Sequence, residues 1–314
     1  MRIKYLKLSI FSFAISFFCN NLFACACGLS NLNVGTNLLL PSNNQRIAFV
    51  QYDSILQNTN FNGSSKIDAE LNHHQKIMTK VTTFGIQQTF DNNWGFNLRI
   101  PHSQREITSN ANHHDEEDHD HDHLSISSTD KNSGIGDIKV NAIYNGFKKD
   151  KSLGVIFGIK LPTGKNNDIN FSKAAQLGTG SYDALLSLYY NKSFSSSGWF
   201  SQISFQRALV NKDDFRSGDE LNLSSGLYHR VKLSNTTSIS PMLQIFAVRK
   251  DKDSKINAES QDSGYKRVFV SFGPEISYQD LKFYTDIQIP LYQYVNGSQL
   301  AVNKIYRAVA SYSF

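Results

Sequence analysis

The chain has 314 residues, of which 40% are hydrophobic, 19% charged and 12% aromatic, and its formal net charge is +5 at pH 7. No run approaches the roughly 18 apolar residues that a membrane-spanning helix needs, which excludes a helical membrane protein. The mean hydropathy is −0.37. A chain that is polar on average, poor in charge and rich in aromatic residues is typical of alternating apolar and polar positions, as in the wall of a membrane β-barrel.

The N-terminus is predicted to be an export signal. Three basic residues open the chain, and an apolar stretch of eleven residues from Leu8 to Phe18 follows them. Because this stretch is too short to span a bilayer and small residues precede Cys27, residues 1–26 are predicted to be a signal peptide. Leu22 to Cys25 is also an imperfect lipobox, so a lipidated Cys25 remains the alternative. Cleavage lowers the 32 basic residues to 29 against 27 acidic ones, and the sequence does not indicate nucleic-acid binding.

Residues 27–44 lack any periodic apolar pattern and contain glycine, proline and several asparagines. They precede the first predicted strand, on the side where the chain leaves the signal peptide. We therefore expect a periplasmic N-terminal segment, which either plugs the lumen or is a disordered linker.

From residue 45 onward, segments with period-two alternation are separated by turn residues, which predicts β-strands. The pattern is clearest around Leu153, Val155, Phe157 and Ile159, which would face lipid while the residues between them face inward. Twelve strands are predicted, an even number as single-chain bacterial barrels require. They span approximately residues 45–57, 76–90, 94–102, 133–147, 152–162, 177–192, 199–210, 218–233, 238–250, 265–279, 281–294 and 302–314.

The connections between these strands alternate strictly between short and long, which places all long loops on one side of the sheet. Outer-membrane barrels have short periplasmic turns and long external loops. The predicted fold is therefore all-β: a transmembrane antiparallel up-and-down β-barrel of about twelve strands over residues 45–314, located in the bacterial outer membrane. Residues 103–132 form its longest external loop. A soluble β-sandwich also alternates, but it does not explain the even count and the loop asymmetry together.

The chain ends in a strand with Tyr312 and the terminal Phe314 on its apolar side. A C-terminal phenylalanine in such a pattern resembles the assembly signal of outer-membrane barrels. Outer-membrane lipid and, through Phe314, the barrel-insertion machinery are therefore the expected partners.

Three glycine-rich motifs carry a family resemblance: Ser133–Ile138 (S-G-I-G-D-I), Gly158–Gly164 (G-I-K-L-P-T-G) and Leu177–Asp183 (L-G-T-G-S-Y-D). In this order the motifs resemble bacterial outer-membrane barrel proteins of the MetA-pathway phenol-degradation group. Cys25–Gly28 and Lys212–Arg216 are also similar to that group. The resemblance implies an outer-membrane protein that passes small molecules, and it implies no particular substrate.

The three motifs also have a physical interpretation as features of the barrel rim. Pro162 is expected to end a strand because proline cannot donate to a strand ladder. Glycines beside Asp137 and Asp183 permit close backbone approach. These two acids and Lys160 have either this structural role or that of a solute constriction.

Charged residues at inward positions are the candidate pore lining, although the same charges would also pack and pair across a lumen. Twelve strands lie between the eight of a filled barrel and the sixteen of an aqueous porin, so a narrow or gated pore is expected. The candidates are Arg99, Asp137, Lys139, Lys160, Asp183, Glu220, Arg230, Lys232, Arg267, Glu275, Lys282, Asp286 and Arg307.

One predicted external loop contains five histidines and six acidic residues between His113 and His123. Neutral imidazoles bind zinc, nickel or copper, and neighbouring carboxylates raise the local cation concentration. Low-specificity metal binding is one interpretation and a solvated acidic loop is the other; no cofactor is required. The candidate ligands are His113, His114, Asp115, Asp118, His119, Asp120, His121, Asp122 and His123, with His73 and His74 from the preceding loop.

The favoured function is a channel or transporter-like barrel for passive passage of small solutes. The alternative is a surface protein that captures or senses metal ions and uses the barrel only as an anchor. No enzymatic activity and no catalytic residue are predicted, because His123 and Ser125, two apart in an acidic loop, are not held as a nucleophile and base require.

Overall fold

The computed structural model describes residues 45–67, 74–90, 92–111, 126–169, 171–210 and 214–314. The predicted signal peptide at 1–26, the segment 27–44 and the His-rich residues 113–123 lie outside this part of the chain. No helix in the described residues is long and apolar enough to cross a membrane.

The described residues form one antiparallel sheet of fourteen strands, and a short 3-10 helix, Lys173–Ala175, lies in a loop between two of them. The strands are β1 Arg46–Gly63, β2 Ser65–Lys66, β3 His74–Thr89, β4 Trp94–Ala111, β5 Ile126–Ile135, β6 Lys139–Tyr144, β7 Leu153–Lys160, β8 Tyr182–Phe194, β9 Ser197–Val210, β10 Glu220–His229, β11 Val231–Lys232, β12 Thr237–Lys250, β13 Tyr265–Tyr278 and β14 Leu281–Ser313.

The sheet closes on itself because β10 pairs with both β9 and β12. β14 contributes two antiparallel arms: residues 281–295 pair with β13, and residues 298–313 pair with β1. Gly297, with φ of 59°, lies where the chain doubles back. β5 and β6 pair in succession with β4, and β2 and β11 are short additions, so the wall has twelve positions. This confirms the predicted antiparallel barrel.

Alternation along the strands separates a lipid face from a lumen face. In β10, Leu221 and Leu223 are exposed, whereas Glu220, Asn222 and Ser224 are buried. The same pattern follows most of the other long strands, so the outer surface carries an apolar band and many polar groups face the interior. The predicted orientation of β10, with its leucines toward lipid and its polar side chains toward the lumen, is therefore confirmed.

Aromatic rings gather near the short turns, where a barrel meets the membrane interface. Trp94 lies 4.9 Å from Tyr144 between ring centroids and 6.1 Å from Phe157. Tyr190 and Trp199 form a similar pair at 5.4 Å. These rings form part of an aromatic girdle at the short-turn end of the barrel, where residues 45 and 314 also lie.

Strands β1, β4 and β5 extend well beyond their predicted bounds. β4 continues past residue 102 to Ala111 and pairs there with β5, which begins at Ile126. Much of the predicted loop at 103–132 is therefore a hairpin. Its outer face carries hydroxyl side chains such as Thr108 and Thr129, whose oxygens lie 3.4 Å apart. Hydrophobic alternation did not indicate these residues as strands, because their outer face is polar.

Candidate functional site

The three glycine-rich motifs meet at one point inside the barrel. Lys160, the last residue of β7, places its Nζ 2.8 Å from Asp183 Oδ2 and 3.2 Å from Asp137 Oδ2. All three side chains are buried. Asp183 lies directly opposite Lys160 on β8, and Asp137 lies between β5 and β6. We call Asp137, Lys160 and Asp183 the charge cluster.

Hydrogen bonds satisfy the carboxylates of the charge cluster. Asp137 accepts from the backbone N–H of Gly164 at 3.0 Å and from the backbone and hydroxyl of Thr179 at 2.9 and 3.0 Å. Asp183 accepts from Ser181 and Gln206, each at 2.5 Å. Lys160 also donates to Thr179. The cluster therefore fixes both ends of the segment 161–181 against the barrel wall.

Glycine is required at two positions of this segment. A Cβ on Gly178 would lie 2.6 Å from the carbonyl carbon of Gly164 and 2.7 Å from Asp137 Oδ1. Gly180 has φ of 67°, in the left-handed region that favours glycine. The close approach expected from the motif is confirmed, and β7 ends before Pro162 as expected.

The segment 161–181 packs into the barrel from its long-loop side. Arg105 on β4 donates from Nη1 to the carbonyl of Gln176 at 3.2 Å, and the Gln176 side chain donates to the carbonyls of Asp168 and Phe171 at 2.7 Å each. An apolar cluster joins the segment to β3, β4 and β14. Its members are Ile77, Ile107, Phe171, Ala175 and Leu300.

A polar cavity of about 120 Å³ lies beneath this segment. Thr179 and Leu177 line it from the segment, and Gln206 and Ser217 line it from the other side. Its charged lining has six cationic side chains and two carboxylates. They are Arg99, Arg105, Lys139, Lys160, Lys173, Lys250, Asp137 and Glu220.

A second apolar cluster lies inside the barrel on the short-turn side, and we call it the periplasmic cluster. Phe49 and Phe200 belong to it although β1 and β9 lie on opposite sides of the ring. Each ring lies over a glycine of the next strand, Gly85 and Gly226 respectively, where a Cβ would collide with the ring. The full cluster is Ile47, Phe49, Phe200, Tyr228, Met242, Tyr284 and Val309.

An ion pair lies on the wall formed by β1 and β14. Arg307 Nε is 2.6 Å from Asp53 Oδ1, and both side chains are buried. Asp286 accepts from the hydroxyls of Ser271 and Tyr284 at 2.7 and 2.9 Å. Arg267 stacks on another residue of β13, with its guanidinium 3.9 Å from the centroid of the Tyr265 ring.

The thirteen predicted pore-lining residues divide by location. Arg99, Asp137, Lys139, Lys160 and Glu220 line the cavity. Asp183 belongs to the charge cluster behind it. The remaining residues lie elsewhere: Arg267, Glu275, Asp286 and Arg307 are buried, Lys282 is half-buried, and Arg230 and Lys232 are exposed at the end of β10 and in β11.

The sequence prediction missed three cations of the cavity. Arg105 was placed in a loop because strand β4 was expected to end at residue 102. Lys173 lies in the segment 161–181, whose inward folding has no periodic signal. Lys250, at the end of β12, forms a 2.7 Å ion pair with Asp253. The alternation of the predicted strand 238–250 places Lys250 at an inward position, so the sequence could have identified it as a lining residue.

The predicted metal ligands remain a prediction. Of these residues, only His74 is in a described strand, β3, and the others lie outside the described part of the chain. Within the described residues, no group of three or more His, Cys, Asp or Glu side chains is arranged to hold a metal ion.

The fold is shared with an outer-membrane barrel of known structure. An outer-membrane channel from Pseudomonas putida F1 superimposes with a TM-score of 0.62 at 14% identity, covering 88% of this chain and 98% of that one. The β domain of the Bordetella autotransporter BrkA gives 0.49 at 10% identity, covering 86% and 100%. The CymD monoaromatic hydrocarbon channel gives 0.44 at 6% identity, covering 87% and 88%. No curated protein matches the sequence.

The apolar outer band, the closed antiparallel wall and the shared fold place the protein in the bacterial outer membrane. The family model for the MetA-pathway of phenol degradation matches residues 57–291, which is most of the chain and includes all three glycine-rich motifs. The chain therefore belongs to the family described as the MetA-pathway of phenol degradation.

Proposed function

We propose that the protein passes small solutes passively across the outer membrane through its lumen. The observation that carries this proposal is the polar, charge-lined cavity inside a closed barrel. A barrel that served only as an anchor would need no such cavity, and its interior could be filled by apolar side chains. Solute would enter beside the segment 161–181 and reach the cavity from the long-loop side.

The periplasmic cluster is the proposed gate of this pathway. Its side chains come from opposite walls and occupy the lumen on the periplasmic side of the cavity. Passage therefore requires rings such as Phe49 and Phe200 to move. Apolar contacts are non-directional, so they close the lumen while allowing rearrangement. This arrangement agrees with the narrow or gated pore expected for twelve strands.

Planar-bilayer recording of Phe200→Ala tests the pathway and its gate together. Removing the ring should increase the open probability or the single-channel conductance, because it removes part of the barrier. The matched control is Phe205→Ala, which deletes an exposed ring from the lipid face of the same strand. Equal conductance in wild type and both variants would refute the gate, and silence in all three would refute the channel.

A second proposal concerns residues 113–123, predicted from the sequence to be a loop, whose five imidazoles favour binding of zinc, nickel or copper. Its test is calorimetric titration of zinc into the wild type and into a deletion of residues 113–123. Loss of the binding heat in the deletion supports the proposal, and equal heat in both proteins contradicts it. Conductance that is independent of the deletion would separate metal binding from solute passage.

Recognition of Phe314 by the insertion machinery is proposed on the same sequence grounds. The terminal ring is exposed and stacks on Tyr312 at 6.0 Å between centroids. Deletion of Phe314 should lower the amount of heat-modifiable barrel in outer-membrane fractions. An unchanged amount would contradict this role.

A further inference from the structure

The outer surface of the barrel changes from apolar to polar towards the long-loop end of β3, β4 and β5. Nearer the short turns, Phe84, Ile86 and Phe96 are exposed and face lipid. Closer to the long loops, two outward rows that pair across the three strands carry mainly charged and polar side chains. The first row is Lys80, Gln104 and Ser133, and the next is Met78, Glu106 and Lys131.

The first of these rows lies at the level expected for lipid head groups. Gln104 is ten residues beyond Trp94 on β4, and Trp94 belongs to the aromatic girdle at the short-turn end. A strand rises about 3.4 Å per residue and tilts by about 35–45° in such barrels, so about 24–28 Å along the barrel axis separate the two residues. The apolar band of an outer-membrane barrel is about 25 Å tall. Gln104 and its row therefore lie at the outer edge of the hydrocarbon region.

The two rows line a groove of about 250 Å³ on the outside of the barrel wall. Lys80 borders this groove from β3 and Lys131 borders it from β5, while Gln104 and Ser133 add an amide and a hydroxyl group. All four side chains are exposed. The groove therefore presents two ammonium groups and two neutral donors to the head-group region of the membrane.

The surface around the groove carries more positive than negative charge. Lys131 Nζ lies 3.8 Å from Glu106 Oε2, but the two side chains are 72% and 46% exposed, so this ion pair is weak. Lys76, exposed on β3, adds a third lysine. Asp130 lies opposite the buried Ile107, on the other face of the sheet. Among the outward side chains described in this part of β3, β4 and β5, three lysines therefore face one glutamate.

This combination of groups suits a phosphate that belongs to a lipid. Lysine binds phosphate as a point charge, and amide and hydroxyl groups donate to the remaining phosphate oxygens. The long loops of an outer-membrane barrel are external, so the groove faces the outer leaflet. The lipids of that leaflet are phosphorylated glycolipids. A phosphate held at this level leaves the acyl chains of its lipid beside the apolar band, against rings such as Phe84.

We propose that the groove between Lys80 and Lys131 binds a phosphate group of an outer-leaflet glycolipid. The two lysines contact the phosphate, Gln104 and Ser133 donate to its oxygens, and Glu106 opposes its negative charge. Such a contact fixes the base of the β4–β5 hairpin at the membrane surface. The proposal depends on the outer-membrane location of the barrel and is independent of solute passage through the lumen.

Native mass spectrometry of the detergent-solubilised full chain, titrated with lipid A, tests this site. Wild type should bind lipid A with both phosphates more tightly than lipid A from which the phosphates have been removed. A lysine near a lipid phosphate changes affinity roughly fivefold, so Lys80→Gln and Lys131→Gln should each weaken binding about fivefold and the double variant about 25-fold. Glu106→Gln removes a carboxylate from the groove and should tighten binding.

Lys266→Gln is the matched control for the two lysine variants. Lys266 is exposed at the long-loop end of β13, which β1 and both arms of β14 separate from β3. Its substitution should leave the binding of lipid A unchanged. An equal loss of binding in Lys266→Gln would show a diffuse basic surface and would overturn the groove as the site. Equal binding of the dephosphorylated lipid would overturn the role of the phosphate.

Free phosphate is distinguished from the lipid by competition. Displacement of lipid A by millimolar inorganic phosphate would overturn the lipid assignment, whereas retention of the lipid supports it. Heat-modifiable migration verifies that each variant is a folded barrel, and substitutions of exposed lysines should not impair assembly. A folded double variant that binds lipid A as tightly as wild type overturns the proposal.

Discussion

The two halves of the lumen are built from different interactions. On the long-loop side, the charge cluster and its hydrogen bonds hold the segment 161–181 above a polar cavity. On the short-turn side, the periplasmic cluster brings apolar side chains from opposite walls into the barrel interior. Buried hydrogen bonds are directional and fix one geometry, whereas apolar contacts tolerate rearrangement. The comparison indicates a rigid half and a deformable half.

The largest expected effect on stability comes from Lys160→Met. This change leaves Asp137 and Asp183 buried without the ammonium that joins them, and loss of one partner from a buried ion pair costs about 3–5 kcal/mol. Urea unfolding of the barrel in lipid vesicles measures the loss. Release of the segment 161–181 should also appear as increased protease cleavage near Lys165. A variant as stable as wild type would contradict the rigid half of the comparison.

A smaller effect is expected for Gly178→Ala. The added methyl group would collide with the backbone of Gly164 and with Asp137, and overpacking of this kind costs about 1–3 kcal/mol. The same urea titration gives the change, and all three charged side chains of the charge cluster are retained in this variant. If the variant loses no stability, the two glycines do not hold the segment in the close approach described above.

The smallest effect is expected for Lys165→Met, which serves as the control for Lys160→Met. Lys165 lies five residues along the chain and its Nζ is 3.0 Å from Asp168, but its side chain is 57% exposed. Surface ion pairs contribute about 0–1 kcal/mol. Equal losses in the two lysine variants would mean that burial does not distinguish the charge cluster from an exposed pair.

The sequence predicted the wall better than the contents of the lumen. Alternation in β10, with Leu221 outward and Glu220 inward, follows directly from the pleat of a strand between lipid and an aqueous interior. The three glycine-rich motifs also pointed to Asp137, Lys160 and Asp183 as one group of candidates. These side chains meet in the structure because the strands that carry or flank them are neighbours in the antiparallel sheet.

Other features depend on tertiary contacts that periodicity does not encode. The inward packing of Phe171 requires Ile77 and Leu300, which are distant in sequence and meet it only after the barrel has closed. Arg105 was missed because β4 rises beyond the apolar band, where its outer face becomes polar. The periplasmic cluster was also not predicted. Alternation can show that a phenylalanine such as Phe200 points inward, but it does not show which residues of the opposite wall lie near it.

Accessibility of the cavity to a charged thiol reagent during conduction tests the central claim most directly. In a background without other cysteines, Gln206→Cys places a thiol in the cavity, and Phe205→Cys places one on the lipid face of the same strand. The proposed pathway predicts that a sulfonate-bearing methanethiosulfonate lowers the single-channel conductance of Gln206→Cys and leaves that of Phe205→Cys unchanged. A conductance that does not change when Gln206→Cys is fully modified would show that ions do not pass through this cavity, and would contradict the account.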